Sequence, residues 1–216
     1  MEGALPETLL IYNKLLSDEQ KSHIQAFLKE VQKKKEKYEP EVLWQLDQKI
    51  GGIGGYCMPA DPRINPFPVG LNRELFRPLQ YARSEIDICD IRMHARHVVH
   101  YSGMHLEAVL RLFLKSIKML GNLRFFNSTL GKAASEISRM NIFNDVIIGA
   151  LFKFIILYNR AKHEVNMFEE RPRMFSEVDA VVCYFCARII GQEVLVELGY
   201  PLSFDIYKIN NNKFDF

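Results

Sequence analysis

Apolar side chains recur at steps of three and four residues along most of this 216-residue chain, which is the period of an amphipathic α-helix. Two capping boxes mark the starts of helices: Ser17 with Gln20, and Ser176 with Asp179. The second of these helices is predicted to end near Leu198, because a glycine and then a proline follow it. The pattern therefore predicts a helical protein in which the first helix starts at the first capping box.

Further helices are predicted from the same periodicity and from local start and stop signals. The longest spans 84–119, and Gly103 is the weak point at which it could kink. Three of the predicted segments are 41–50, 132–140 and a hydrophobic helix from Asp145 to about Val165. A fourth begins near Leu75 and becomes strongly periodic over 84–119.

Two segments do not follow the helical period. A Gly/Pro-rich loop is predicted over 51–70, where five residues Gly-Gly-Ile-Gly-Gly are followed by four prolines. The tail over 204–216 alternates apolar and polar residues around a turn, which predicts a small C-terminal β-hairpin. The fold class is therefore all-α: one domain over 1–216, built as a bundle of about five to seven helices.

The hydrophobic helix that begins at Asp145 is predicted to lie at the centre of this bundle. Its apolar run, 146–158, is about 13 residues long, whereas a membrane crossing needs about 18 or more. We therefore expect a buried core helix and no membrane partner. The first ten residues lack the basic start and apolar run of a secretory signal, which favours a cytoplasmic protein.

Charge gives little guidance about partners. The net charge is +2 from 28 basic and 26 acidic residues. The overall charge therefore gives no general attraction to nucleic acid, although it does not exclude a local basic groove. Function has to be sought in particular side chains.

One such set lies on the predicted long helix, where acidic and imidazole side chains share a direction. Carboxylates and imidazoles at steps of three or four suit iron, manganese or zinc in a helical bundle, with Asp90, His94, His97 and His105 as ligands. The alternative is a solvated helix face on which Asp90 and His94 form an ordinary exposed pair. The aligned residues are Asp87, Asp90, His94, His97, Tyr101 and His105.

A second set ends the hydrophobic helix: Asn159, Arg160 and His163. An imidazole held by Asn159 and next to a guanidinium could move protons while Arg160 stabilises phosphate charge, which is the chemistry of a metal-independent ribonuclease. The alternative is that Arg160, Lys162 and His163 complement the negative end of the helix dipole.

The sequence Asn159-Arg160-Ala161-Lys162-His163, together with long antiparallel helices, resembles the HEPN superfamily of helical bundles. That family includes metal-independent RNA nucleases and inactive nucleotide-binding relatives. The resemblance implies that Arg160 and His163 form the functional pair with help from Asn159, and that two copies face each other in a homodimer. The spacing between Arg160 and His163 is shorter than is usual in the family.

Three functions therefore stand as hypotheses. The first is a HEPN-like protein that binds or cleaves RNA, or binds a nucleotide, without a cofactor. The second is a non-catalytic helical module that docks a partner protein through the Asp/His face and the Gly/Pro loop. The third is a metal-binding bundle that uses the Asp/His stripe to hold a divalent ion.

Overall fold

In the computed structural model of the protein, residues 1–33, 40–53, 69–88, 91–117, 128–163 and 175–199 are described, and the regular structure in these ranges is entirely helical. The all-α prediction is confirmed for this part of the chain. Most of the predicted loop 51–70 and the predicted hairpin at 204–216 lie outside the described residues. The helices are α1 (Pro6–Leu15), α2 (Asp18–Lys33), α3 (Pro40–Ile50), α4 (Val69–Ile88), α5 (Ile91–Ile117), α6 (Leu130–Met140), α7 (Asp145–His163) and α8 (Glu177–Glu197).

The described ranges thus hold eight helices, more than the five to seven predicted. One addition is α1, for which no prediction was made. The other arises because the predicted long helix over 84–119 is two helices, with α4 ending at Ile88 and α5 starting at Ile91. Gly103 does not interrupt α5, which runs on to Ile117.

The centre of the bundle is the pair α5 and α8, and not α7 as predicted. Helix α8 is apolar on every side and has 15 buried residues, because α1, α2, α4, α5 and α7 all pack against it. Helices α4, α6 and α7 pack on α5. Helix α7 lies at the periphery, since its Phe152 and Ile156 side chains remain 39% and 38% exposed.

Two glycines allow the closest approaches in the core. A Cβ atom at Gly103 of α5 would collide with the ring of Tyr158 of α7. A Cβ atom at Gly191 of α8 would collide with Nε2 of His105 of α5. Both side chains therefore occupy space that only a glycine leaves free, which fixes how α7 and α8 sit against α5.

A fully buried ion pair ties α3 to α8. Asp47 and Arg188 are both 0% exposed, and Nη1 of Arg188 donates to Oδ1 of Asp47 at 2.5 Å. Tyr184 donates to the same carboxylate oxygen, and Arg83 of α4 donates to the other one at 2.9 Å. Nε of Arg188 donates to the carbonyl oxygen of Ile53, so the pair is surrounded by hydrogen bonds that offset the cost of burying charge.

The first helix is anchored by a carboxylate at the start of α8. Asp179 completes the predicted capping box with Ser176, which is confirmed. Its other oxygen accepts from the backbone N–H of Leu5 at 2.8 Å and from the hydroxyl of Thr8 at 2.6 Å. One buried side chain therefore caps α8 and fixes the start of α1.

Candidate functional site

The break between α4 and α5 rearranges the predicted stripe of acidic and imidazole residues. Because α4 and α5 pack against each other, Glu85 near the end of α4 meets His94 in the first turn of α5, with Oε2 of Glu85 2.7 Å from Nδ1 of His94. His97 follows one turn later, and the two imidazole rings are 5.6 Å apart. Glu85 was not among the predicted ligands. We call Glu85, His94 and His97 the triad.

The other two predicted ligands are not part of this triad. Asp90 lies outside the described residues, and so does the side chain of Asp87. His105 lies further along α5 and is fully buried in the core, where its Nδ1 donates to the carbonyl oxygen of Leu75 at 2.6 Å. A buried imidazole bonded in this way is a structural element of the α4–α5–α8 interface.

The environment of His105 keeps its imidazole neutral. The pKa of His105 is lowered from 6.5 to about 4: burial is the main cause, the bond to Leu75 opposes it, and the positive charge of Arg188 adds to the lowering. Because Nδ1 carries the donated proton, Nε2 is the unprotonated nitrogen, and this atom has no hydrogen-bond partner within the described residues.

At the carboxyl end of α7, the three predicted catalytic residues have different environments. Asn159 and His163 are exposed. Arg160 is engaged by α1, because its two terminal nitrogens donate to the two carboxylate oxygens of Glu7 at 3.1 and 3.2 Å. This two-pronged pair directs the guanidinium toward α1, so it holds α1 against α7.

Helices α5 and α7, which carry the two predicted clusters, cross at the carboxyl end of α7, but the contacts at this crossing are made by residues outside both predicted sets. Nε of Arg96 donates to the carbonyl oxygen of Ala161 at 2.7 Å, which satisfies one of the free carbonyls at the end of α7. His100 stacks on Tyr158 with ring centres 5.6 Å apart, and Nζ of Lys162 lies 5.1 Å from the centre of the same ring.

The aromatic contacts continue beyond this crossing along α5 to α4. The ring of His100 stacks on that of Tyr101 at 6.0 Å, and Tyr101 contacts Tyr81 of α4 at 5.5 Å. Tyr81 is 50% exposed, so the row ends at an open aromatic face. We call the surface formed by Tyr81, Arg96, His100 and Lys162 the crossing surface.

The electrostatics of the crossing surface favour a neutral imidazole at His100. Partial burial lowers the pKa of His100, and the positive charges of Lys162 and Arg96 lower it further. Among the described residues, the acidic side chain that opposes this effect is Glu107, which is bound to Arg111 and accepts from the backbone N–H of Leu130. His100 is therefore a proton acceptor beside two fixed cations.

Sequence reasoning missed five of these participants, namely Glu85 of the triad and Tyr81, Arg96, His100 and Lys162 of the crossing surface. Each becomes notable only through a neighbour on another helix, and His100 points away from the predicted stripe. The nearest sequence signal was the density of basic and imidazole residues over 92–105.

Among the described helices, none has a long enough apolar stretch to cross a lipid bilayer. Comparisons of the chain with protein-family models, with curated proteins and with solved structures gave no match.

Proposed function

We propose that this protein binds the phosphate groups of RNA, or of a nucleotide, at the crossing surface. The observation that carries the proposal is that two cations lie around one crossing: Lys162 over the Tyr158 ring on which His100 stacks, and Arg96 on the carbonyl of Ala161, both close enough to His100 to lower its pKa. Two cations that face one neutral imidazole leave excess positive charge, and a bound phosphate would neutralise it.

The aromatic row favours single-stranded RNA as the form of the ligand. Proteins that bind single strands combine cations that contact the backbone with aromatic faces on which bases stack, at about 1–3 kcal/mol per base. Here Tyr81 offers a half-exposed ring at one end of the row, and Lys162 offers a cation at the other. A short strand could therefore stack a base on Tyr81 while a phosphate contacts Lys162.

If the bound strand is cleaved, the imidazoles supply the proton transfers without a metal. A neutral His100 would accept the proton of a ribose 2′-hydroxyl, whose oxygen then attacks the adjacent phosphorus while the bond from phosphorus to the leaving 5′-oxygen breaks. The leaving oxygen takes a proton from a second group, for which His163 in the last turn of α7 is the candidate. In this proposal Lys162 takes the phosphate-binding role predicted for Arg160, because Arg160 is paired with Glu7.

The test is binding of a fluorescent single-stranded oligoribonucleotide, measured by anisotropy over a range of salt concentrations. Lys162→Met should weaken binding and lower the slope of log affinity against log salt by about 0.7, the value for one phosphate contact on a single strand. Lys14→Met, which removes an exposed lysine in the last turn of α1, is the control and should leave both unchanged. Absence of binding to the wild type would refute the proposal.

Cleavage is tested separately with a chelator present. Loss of cleavage in His100→Ala and His163→Ala, with binding retained, would support the acid–base step. Binding without cleavage in the wild type would limit the protein to a binding role.

The second candidate function, docking of a partner protein, is favoured by the outer face of α7. Phe152 and Ile156 lie one turn apart there and remain exposed, in line with Asn159 and His163. If this face pairs two copies of the chain, Phe152→Asp should convert a dimer to a monomer in size-exclusion chromatography with light scattering. Val196→Asp alters an apolar residue at the end of α8 that is at least as exposed as Phe152, and it should leave the oligomeric state unchanged.

A further inference from the structure

The triad at the α4–α5 junction has the composition of a metal site. One oxygen of Glu85 and one nitrogen from each of His94 and His97 lie within 4.8 Å of one another. The two histidines are three residues apart on α5, which places them on one face of the helix, and the carboxylate comes from the neighbouring helix. Two elements thus contribute ligands at one point, as in metal sites of helical bundles.

The distances suit direct coordination of an ion. Zinc is bound by imidazole nitrogen and carboxylate oxygen at about 2.0–2.2 Å, so neighbouring ligand atoms of a tetrahedral site are about 3.3–3.6 Å apart. The separations in the triad range from 2.7 Å for Glu85 and His94 to no more than 4.8 Å. Small rotations of these side chains would bring all three atoms to coordinating distance.

Two of the ligand atoms are also buried against each other without a well-formed hydrogen bond. Oε2 of Glu85 and Nδ1 of His94 are both out of contact with solvent and face each other at 2.7 Å, but this contact lacks the angles of a hydrogen bond, and neither atom has a hydrogen-bond partner elsewhere among the described residues. Buried polar atoms are almost always satisfied, so such a pair calls for an explanation. A cation between the two atoms would satisfy both of them together.

We propose that Glu85, His94 and His97 bind a divalent transition metal of the zinc class, with three protein ligands and one open coordination position. Two imidazoles and one carboxylate are the ligand set of catalytic zinc sites, in which the fourth position is held by water or substrate. His97 is exposed and His94 is half-buried, so the open position faces solvent. The bound ion would also clamp the end of α4 to the start of α5.

The chain provides a matched control for this site. His23 and Glu19 of α2 also place an imidazole beside a carboxylate, with Nε2 3.7 Å from Oε1, but no third ligand joins them within the described residues. Removal of an imidazole there should not affect a metal that needs the complete triad.

The experiment is titration of the full-length, chelator-treated protein with zinc by calorimetry, and with cobalt by visible absorption. We expect one ion per chain and the intense bands of four-coordinate cobalt in the wild type and in His23→Gln. Glu85→Gln, His94→Gln and His97→Gln should each weaken zinc binding by about tenfold or more and lose the cobalt spectrum. Circular dichroism checks that each variant is folded, and Glu85→Gln is the variant with the smallest change of shape.

Two results would overturn the proposal. One is a wild-type protein that binds no stoichiometric zinc, which would leave Glu85 and His94 as an ordinary ion pair. The other is zinc binding that survives in all three triad variants. Neither result affects RNA binding at Lys162, since the two proposals rest on different residues and different probes.

Discussion

The buried imidazole of His105 leads to a prediction about how stability depends on pH. In the folded protein the pKa of this group is about 4, while in the unfolded chain it takes the ordinary value of 6.5. Between these two values the unfolded chain binds a proton that the folded protein does not. The free energy of unfolding therefore falls as the pH falls below about 6.5, by up to about 1.4 kcal/mol per pH unit, and the contribution levels off below about pH 4.

The total effect of this one group is about 3 kcal/mol. That is a large share of the ~5–15 kcal/mol that stabilises a typical domain. The cause is structural, because the imidazole is enclosed by α4, α5 and α8 and donates its only proton to Leu75. Protonation of Nε2 would place a charge in a site with no acceptor among the described residues and with the Arg188 cation nearby.

The perturbation is His105→Asn, which keeps an N–H donor for Leu75 but has no group that titrates in this range. We expect the variant to be less stable than the wild type at pH 7.5, because the smaller side chain leaves a cavity. As the pH falls from 6.5 to 4, the stability advantage of the wild type should shrink by about 3 kcal/mol. At pH 4 the free energy of unfolding of the variant should equal or exceed that of the wild type.

The assay is urea unfolding of both proteins at steps of half a pH unit and constant ionic strength. Carboxylates and the other histidines titrate in both proteins, so the difference between the two curves isolates His105. A difference that stays constant from pH 7 to pH 4 would refute the account of a buried, neutral His105.

Two further predictions concern the core. Asp47→Ala should destabilise the protein by about 3–5 kcal/mol in urea unfolding, because it leaves the buried Arg188 cation without its carboxylate; a loss below ~1 kcal/mol would contradict the role given to this pair. Gly103→Ala should cost about 1–3 kcal/mol and lower the melting temperature, because the new Cβ collides with Tyr158. Gly149→Ala, at a helical position with open space for the Cβ, should instead raise stability by about 0.5–1 kcal/mol, and equal effects of the two changes would contradict the packing described.

The parts of the fold that the sequence predicts are those specified by neighbouring residues. The box of Ser17 and Gln20 forms as expected, with Gln20 accepting from the N–H of Ser17 at 2.9 Å and its own N–H donating to the Ser17 hydroxyl. Asn144 likewise caps α7. Helix α1 could not be predicted in this way, because the acceptor that fixes its start is Asp179, far along the chain.

The candidate sites show the same limit. Periodicity continues from Ser84 through Cys89 and Asp90 without a glycine or proline, so no local signal predicted that α4 ends at Ile88. That boundary brings Glu85, which was not predicted as a ligand, to His94, whereas Asp90 lies outside the described residues. Arg160 looked like a free cation because its partner, Glu7, belongs to a helix that was not predicted.

The most direct test of phosphate binding at the crossing surface is the titration of His100, followed by NMR of its imidazole with and without a short oligoribonucleotide. In the free protein, burial and the cations Lys162 and Arg96 hold the pKa of His100 below its ordinary value. A phosphate bound beside Lys162 should raise that pKa, because negative charge favours the protonated imidazole, and Lys162→Met should diminish the rise. RNA binding that leaves the titration of His100 unchanged would contradict the account.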